Sequence, residues 1–200
     1  MDPELTIRPA TSRDTAALSA FAARTFREAF EHMVPPAAMA HYLHDSFDEA
    51  RVAAEIADPD TIFLVATDDS GAFAGYCKLH FGTSPPGTRR VPGGEVPDDQ
   101  PERPRIPVKL WRLYTAREWQ GRGVGVQLLE CAAMIGSKRH GELLWLTVNT
   151  GNTGAVRFYE RNGFIHAGFT TFDLGGDIQR DFVMVRELPT VRDRHSSVGR

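Results

Sequence analysis

The segment Gln120-Gly121-Arg122-Gly123-Val124-Gly125 has the residue types of an anion site. It follows the apolar run Val108 to Tyr114 and opens a helical pattern with Val124, Leu128, Cys131 and Ile135 on one face. In a strand–glycine turn–helix order, free backbone N–H groups and the positive end of the helix dipole converge on one point. Glycines let a pyrophosphate approach with no Cβ in the way. The spacing excludes two common phosphate loops. A nucleotide P-loop needs Lys and then Ser or Thr after its last glycine, and Val126 and Gln127 stand there instead. A dinucleotide fingerprint needs glycine at its first, third and sixth positions, and the sixth from Gly121 is Val126. The residues point to a diphosphate cofactor of another kind.

The flanking segments narrow the choice. Gln/Arg-x-x-Gly-x-Gly/Ala between a strand and a helix resembles the acetyl-CoA signature of the Gcn5-related N-acetyltransferase (GNAT) superfamily. Downstream, Leu143 to Asn149 reads as a buried strand, and Asn152 then caps a short helix carrying Phe158-Tyr159-Glu160-Arg161-Asn162-Gly163-Phe164. That run resembles the second GNAT signature, Asn followed seven residues later by Tyr, with a Gly-Phe exit into a strand. The opening Leu5-Thr6-Ile7-Arg8-Pro9-Ala10-Thr11, followed by Asp14 and a helix, is similar to GNAT openings. Thr25 to Phe30, His41-Tyr42-Leu43 and Ser46-Phe47 resemble the helical front of the PaiA-type bacterial polyamine N-acetyltransferases. Trp145-Leu146 before Val148 fits that branch, as does the tail Phe172-Asp173-Leu174-Gly175 with Gln179 to Met184. The resemblance covers residues 5–188.

The resemblance implies an acetyl-CoA-dependent N-acetyltransferase that works by direct attack in a ternary complex. Its acceptor would be a small primary amine, with polyamines leading. An antibiotic amine, a protein amine, or a non-catalytic acyl-CoA-binding regulator are the alternatives. Homodimers are common among such relatives. The backbone of Leu113, Tyr114 and Thr115 would pair with the pantetheine arm as an added strand, and an N–H there could polarise the thioester carbonyl. Gln120, Gly121, Arg122, Gly123, Val124 and Gly125 would take the pyrophosphate. Asn152 could cap its helix and hydrogen-bond the cofactor. Tyr159 is the candidate general acid, because a phenol with a pKa of about 10 is protonated at neutral pH and can donate to a departing thiolate.

A general base is not evident. An alkylammonium acceptor, with a pKa of about 10.4, must lose a proton. Many relatives carry a glutamate on the strand before the glycine turn, where Lys109 and Trp111 stand here. Glu28, Glu31, Asp45, Asp173, Asp177 and Asp181 are substitutes that the sequence does not rank, and a water chain is equally consistent. Asn149 is a further candidate ligand of the cofactor. His41, His44 and Asp45 have metal-like spacing on one helix, but His44 and Asp45 are adjacent and cannot converge with His41, so no metal is expected.

These residues must be positioned by an α+β fold. Strands are expected at 5–9, 62–66, 73–81, 108–114, 143–149, 164–173 and 178–187, and helices at 14–31, 37–46, 48–57, from the glycine turn to near Gly141, and at 152–162. The hairpin turn Asp68-Asp69-Ser70-Gly71 argues against an all-parallel sheet. The expected sheet is mixed and mostly antiparallel, with about seven strands and helices on both faces. The resemblance adds a splay between the two central parallel strands, which would admit the pantetheine arm. Residues 83–107, rich in Pro, Gly and charge, read as a mobile loop near the acceptor site. Residues 1–188 read as a single domain and 189–200 as a disordered tail.

Composition sets the outer limits. Two hundred residues, 42% of them hydrophobic, suffice for one full core. A net charge of −3 gives no general attraction to nucleic acid. No apolar run approaches the roughly 20 residues needed to span a bilayer. Cys77 and Cys131 fall on apolar faces and read as buried thiols. A reduced, cytoplasmic protein with no membrane or nucleic-acid partner is the expectation.

Overall fold

A computed structural model of the chain describes residues 5–32, 34–86, 106–174 and 177–189. Seven strands, β1 (Thr6–Pro9), β2 (Thr61–Thr67), β3 (Phe73–Phe81), β4 (Ile106–Thr115), β5 (Gly141–Asn149), β6 (Ile165–Leu174) and β7 (Asp177–Glu187), form one sheet in the order β1-β2-β3-β4-β5-β7-β6. β4 and β5 are parallel and every other neighbouring pair is antiparallel. This is the expected α+β architecture.

The strand sequences bury both faces of the sheet. On one face Leu64, Cys77, Leu79, Val108, Leu110, Leu144 and Leu146 meet α4 (Val124–Lys138) and α5 (Thr153–Arg161) through Leu128, Leu129, Ala132 and Val156. On the other, Phe63, Val65 and Tyr76 meet α1 (Thr15–Phe30), α2 (Pro36–Phe47) and α3 (Glu49–Ala57) through Leu18, Phe21, Phe26, Phe47 and Val52. Of the positions that the 3.6-residue period assigns to the apolar stripe of α1, Leu18, Phe21, Ala22, Thr25 and Phe26 are buried, whereas Ala29 is exposed. Lys78 points into the second layer and pairs with Glu55 at 2.7 Å. Cys77 and Cys131 are free, and burial pushes the Cys77 thiol up to about 12.

One irregularity shapes the centre of the sheet. β3 pairs Lys78 with Arg112 and then Leu79 with Leu110, so Trp111 is an extra residue on β4. Such a bulge bends its strand and increases the local twist. β4 pairs with β5 only over Ile106 to Lys109, against Gly141 to Trp145. Beyond that point β4 stays with β3 as far as Thr115, and β5 stays with β7 as far as Asn149. The two parallel strands therefore splay from Lys109 onward, at the bulge.

Several boundaries differ from the sequence reading. β4 starts at Ile106 and not after 107, and Gly82 N–H donates to the Pro107 carbonyl at 2.9 Å. Trp145 Nε1 donates to the Thr83 carbonyl at 2.7 Å, so the near end of the 83–107 segment is tied to the sheet. Residues 87–105 of that segment, residues 190–200 of the tail, and the side chains of Asp173 and Asp177 lie outside the described residues. β5 starts at Gly141, which the sequence reading used to end the helix. Among the described residues no helix is long and apolar enough to cross a membrane.

Asp14 locks the first strand to the first helix. Its carboxylate accepts from Arg8 Nη1 and Nη2 at 2.8 and 2.7 Å and from Thr11 N–H at 2.7 Å. The Arg8 guanidinium, with help from Thr11, holds this carboxyl well below the usual range. A depressed folded-state pKa stabilises above the unfolded value of about 3.9 and ceases to do so as pH falls. Asp14→Asn is expected to cost about 1–3 kcal/mol at neutral pH. That difference should shrink as pH falls below about 4, which urea unfolding at several pH values measures.

Candidate active site

The glycine turn forms as its residues require. Gly121 and Gly123 have φ of +76° and +80°, a left-handed conformation that side chains with a Cβ rarely adopt. The reason for these two glycines is backbone conformation rather than space, since a Cβ at Gly121 would meet nothing within 4 Å. Gly123 is the N-cap of α4 and carries no side-chain cap, so the first N–H groups of α4 lack a partner from the cap residue. Val124 anchors the turn in the core, and Arg122 lies over the Trp119 ring at 5.3 Å. Gly125 faces Phe158 of α5, 3.5 Å from the position of a Cβ.

Next to this turn the splay opens into a cavity of about 650 Å³. Its walls include Leu113, Tyr114, Thr115, Gln120, Asn152 and Tyr159, which brings six of the candidate residues together. Gly121, Arg122, Gly123, Val124 and Gly125 do not line it. They occupy the turn beyond Gln120 and the start of α4. Past Lys109, β4 has no ladder partner on β5, so its edge at Leu113 to Thr115 faces the opening. Asn152 caps α5, accepting from Ala155 N–H at 3.1 Å. Asn149 accepts from Gly151 N–H and donates to Gln179 Oε1, both at 2.8 Å, so it shapes the turn before that cap. Tyr159 packs edge-on to Phe158 and Phe164, and burial raises its pKa above the ordinary phenol value.

The cavity continues through the sheet to the face covered by α1 and α2. There it is walled by Phe26, Phe30, Tyr42, Trp111 and Phe172. Phe26 stacks on Tyr42 at 4.6 Å and Tyr42 meets Phe172 edge-on at 6.2 Å. Five charged side chains line it, among them Arg117, which is exposed. Glu28 is exposed at the rim, and Arg112 is buried with its guanidinium 4.3 Å from the Phe47 ring centroid. Lys109 Nζ sits 3.5 Å from the Trp111 ring centroid and 4.7 Å from that of Trp145. Burial, with the charge of Lys78, pushes this lysine down to about 8. Asp181 of β7 is only 7% exposed. Burial raises its carboxyl, against a hydrogen bond from the Thr147 side chain and the charge of Lys109.

Sequence reasoning did not single out Asp181, Lys109 or Thr147 as a group. The usable signal was polar residues interrupting apolar strands, Thr147 within Leu143 to Val148 and Asp181 just before Phe182 to Val185. Of the other carboxylates weighed, Asp45 pairs with His41 at 3.2 Å, and neither Asp45 nor Glu31 lines the cavity. Among the described residues no cluster of three His, Cys, Asp or Glu side chains is placed to hold a metal ion.

The sequence and the fold have counterparts in known proteins. Residues 24–164 match the model of the acetyltransferase (GNAT) family. The chain is 33% identical over 175 residues to an uncharacterized N-acetyltransferase of Mycobacterium tuberculosis, covering 88% of this chain and 98% of the relative. It is 31% identical over 179 residues to another in Lactobacillus delbrueckii subsp. lactis, covering 89% and 94%. In fold it is similar to the PaiA N-acetyltransferase of Thermoplasma acidophilum in complex with coenzyme A. The TM-score is 0.69 at 20% identity, over 92% of this chain and 99% of that one. It is equally similar to Arabidopsis thaliana NAA60 in complex with acetyl-CoA, with a TM-score of 0.69 at 13% identity over 92% and 99%.

Proposed function

We propose the reaction from the premise that the chain belongs to the acetyltransferase (GNAT) family and is an N-acetyltransferase. Its acetyl donor is acetyl-CoA, which supplies an acetyl group activated as a thioester. The acceptor is a small primary amine that attacks directly in a ternary complex. The observation that carries this reading is the single cavity crossing the splay, with the β4 edge, Asn152 and Tyr159 at one end and an aromatic chamber at the other.

The residues divide the work by position. The open edge of β4 at Leu113, Tyr114 and Thr115 is free to hydrogen-bond an extended chain as an added strand. The uncapped start of α4 suits a pyrophosphate. Tyr159 presents a neutral phenol to the leaving sulfur. Phe26, Tyr42, Trp111 and Phe172 exclude water and hold the body of the amine, and their ring faces also attract an ammonium. A polyamine remains the leading acceptor. Glu28 at the rim and Asp181 inside are two carboxylates that could each take an ammonium. An antibiotic amine is the next candidate. The walled chamber favours a small molecule over a protein amine.

The test is a thermal shift followed by an acceptor screen. At one hundred times its Kd, acetyl-CoA should stabilise the protein by about 2.7 kcal/mol and raise Tm accordingly. Free-thiol release should then appear with one amine class among polyamines, aminoglycosides, simple alkylamines and peptide N-termini. Polyamines are expected to give the highest kcat/KM. The absence of both a Tm shift and thiol release with every class would sink the acetyltransferase reading, whereas release only with another class would move the acceptor alone.

A further inference from the structure

We propose that Asp181 is the proton acceptor for the attacking amine and that Lys109, a cation lining the same cavity, is a positioning residue that acts through Asp181. The proposal rests on the acetyltransferase reading and assigns the base that the sequence leaves open. Asp181 lies outside the segment matched by the family model, on β7, opposite Asn149 of β5 and Thr170 of β6. It is the one buried carboxylate among the described residues of the cavity wall, and it shares that wall with Tyr159. The bulge that leaves Trp111 unpaired, and the splay beside it, open β5 and β7 to the cavity.

The groups sharing this cavity with Asp181 come from every element around it. Lys109 and Arg112 stand on β4, Thr147 and Asn149 on β5, Gln179 on β7, Glu28 on α1, Tyr42 on α2 and Tyr159 on α5. Of these, Lys109 is the cation that acts on the Asp181 carboxylate, and Thr147 is its hydrogen-bond donor. Both favour the ionised form, which a base requires. Burial opposes them and brings the carboxylate closer in basicity to an amine held in the same apolar chamber. Trp111 and Trp145 fix the lysine from two sides, and Trp145 is 1% exposed.

The protons balance. Asp181 takes one proton from the acceptor's ammonium and leaves a lone pair on nitrogen. As the N–C bond forms and the donor's C–S bond breaks, nitrogen sheds a second proton and the sulfur gains one by way of the Tyr159 hydroxyl. Asp181 then returns its proton to solvent. The net products are an amide, a thiol and one proton.

The experiment combines pH profiles with a titration of the ligand-free protein. Asp181→Asn should keep the acetyl-CoA thermal shift, lose about 10²–10⁴-fold in kcat and lose the acidic limb of kcat/KM. Lys109→Met removes a positive charge, so the Asp181 pKa rises. The acidic limb should therefore move to higher pH. The ¹³C carboxyl resonance of Asp181, followed in the ligand-free protein, should shift its midpoint in the same direction. Near-normal kcat in a folded Asp181→Asn enzyme overturns the proposal while leaving the acetyltransferase reading intact. If that variant does not fold, an unmoved limb and an unmoved carboxyl midpoint in Lys109→Met overturn it independently. A loss seen only in KM, with the acidic limb unchanged, makes Asp181 an ammonium anchor and also overturns it. A wild type that neither binds acetyl-CoA nor releases thiol sinks the function itself.

Discussion

Tyr159→Phe should lower kcat by about 10²–10⁴-fold while leaving acetyl-CoA affinity nearly unchanged. The substitution keeps the ring that packs against Phe158 and Phe164 and removes one oxygen. The direction of its pKa refines the role. Burial raises the phenol above its ordinary value, so it stays neutral at any working pH. Full transfer to a thiolate of ordinary basicity, with a pKa of about 8.5, would then run uphill. The stabilisation must come largely from an O–H hydrogen bond that strengthens as negative charge grows on sulfur, with the proton following late. The pH profile carries the same mark. Ionisation of Tyr159 should produce no basic fall in kcat below about pH 10. Stopped-flow thiol release on both proteins measures the loss. If Tyr159→Phe folds, binds acetyl-CoA and turns over near the wild-type rate, the hydroxyl is only a core group and solvent or another residue protonates the sulfur. The cost would then appear in stability, at about 1 kcal/mol.

What the sequence made legible was local. The glycine turn, the 73–81 strand and the helix from Asn152 are each written in consecutive residues, and each forms within a residue or two of expectation. A turn needs its left-handed glycines and a cap needs its asparagine, whatever surrounds them. The aromatic chamber was not legible, because its walls come from four separate elements, α1, α2, β4 and β6. Lys109 and Trp111 were recognised as departures from the family pattern. Their arrangement depends on a bulge that exists only in the register between β3 and β4. Asp181 became meaningful once β7 was known to lie beside β5 and opposite the splay. The start of β4 was missed for another reason. Pro107 looks like a breaker, yet its carbonyl accepts from Gly82 N–H and it pairs with Leu143 in the parallel ladder. Gly141 likewise looked like a helix stop, although it opens β5, where a Cβ would come within 2.6 Å of Val108 Cγ2.

Gly125→Asp should abolish acetyl-CoA binding without weakening the fold. The position discriminates because the two consequences have opposite signs. A carboxylate in the first turn of α4 interacts favourably with the helix dipole, and replacing a helical glycine also removes an unfavourable backbone freedom. The added Cβ would stand 3.5 Å from Phe158, an ordinary contact. The Tm of the ligand-free variant should therefore equal or exceed that of the wild type. The same carboxylate would oppose a pyrophosphate at the helix start, where like-charge juxtaposition costs several kcal/mol and each 1.4 kcal/mol is about tenfold in Kd. A loss of roughly 10²-fold or more should erase the thermal shift at acetyl-CoA concentrations that saturate the wild type. Gly123→Asp should abolish binding too. Its left-handed φ of +80° adds backbone strain, so its ligand-free Tm should fall and make it the less clean probe. Gly125→Ala separates charge from bulk and should retain most of the shift, because the space beside Phe158 admits a methyl group. A full acetyl-CoA shift in folded Gly125→Asp would mean that the phosphates bind away from this helix, and the assignment of Gln120 to Gly125 as their cradle would fall with it.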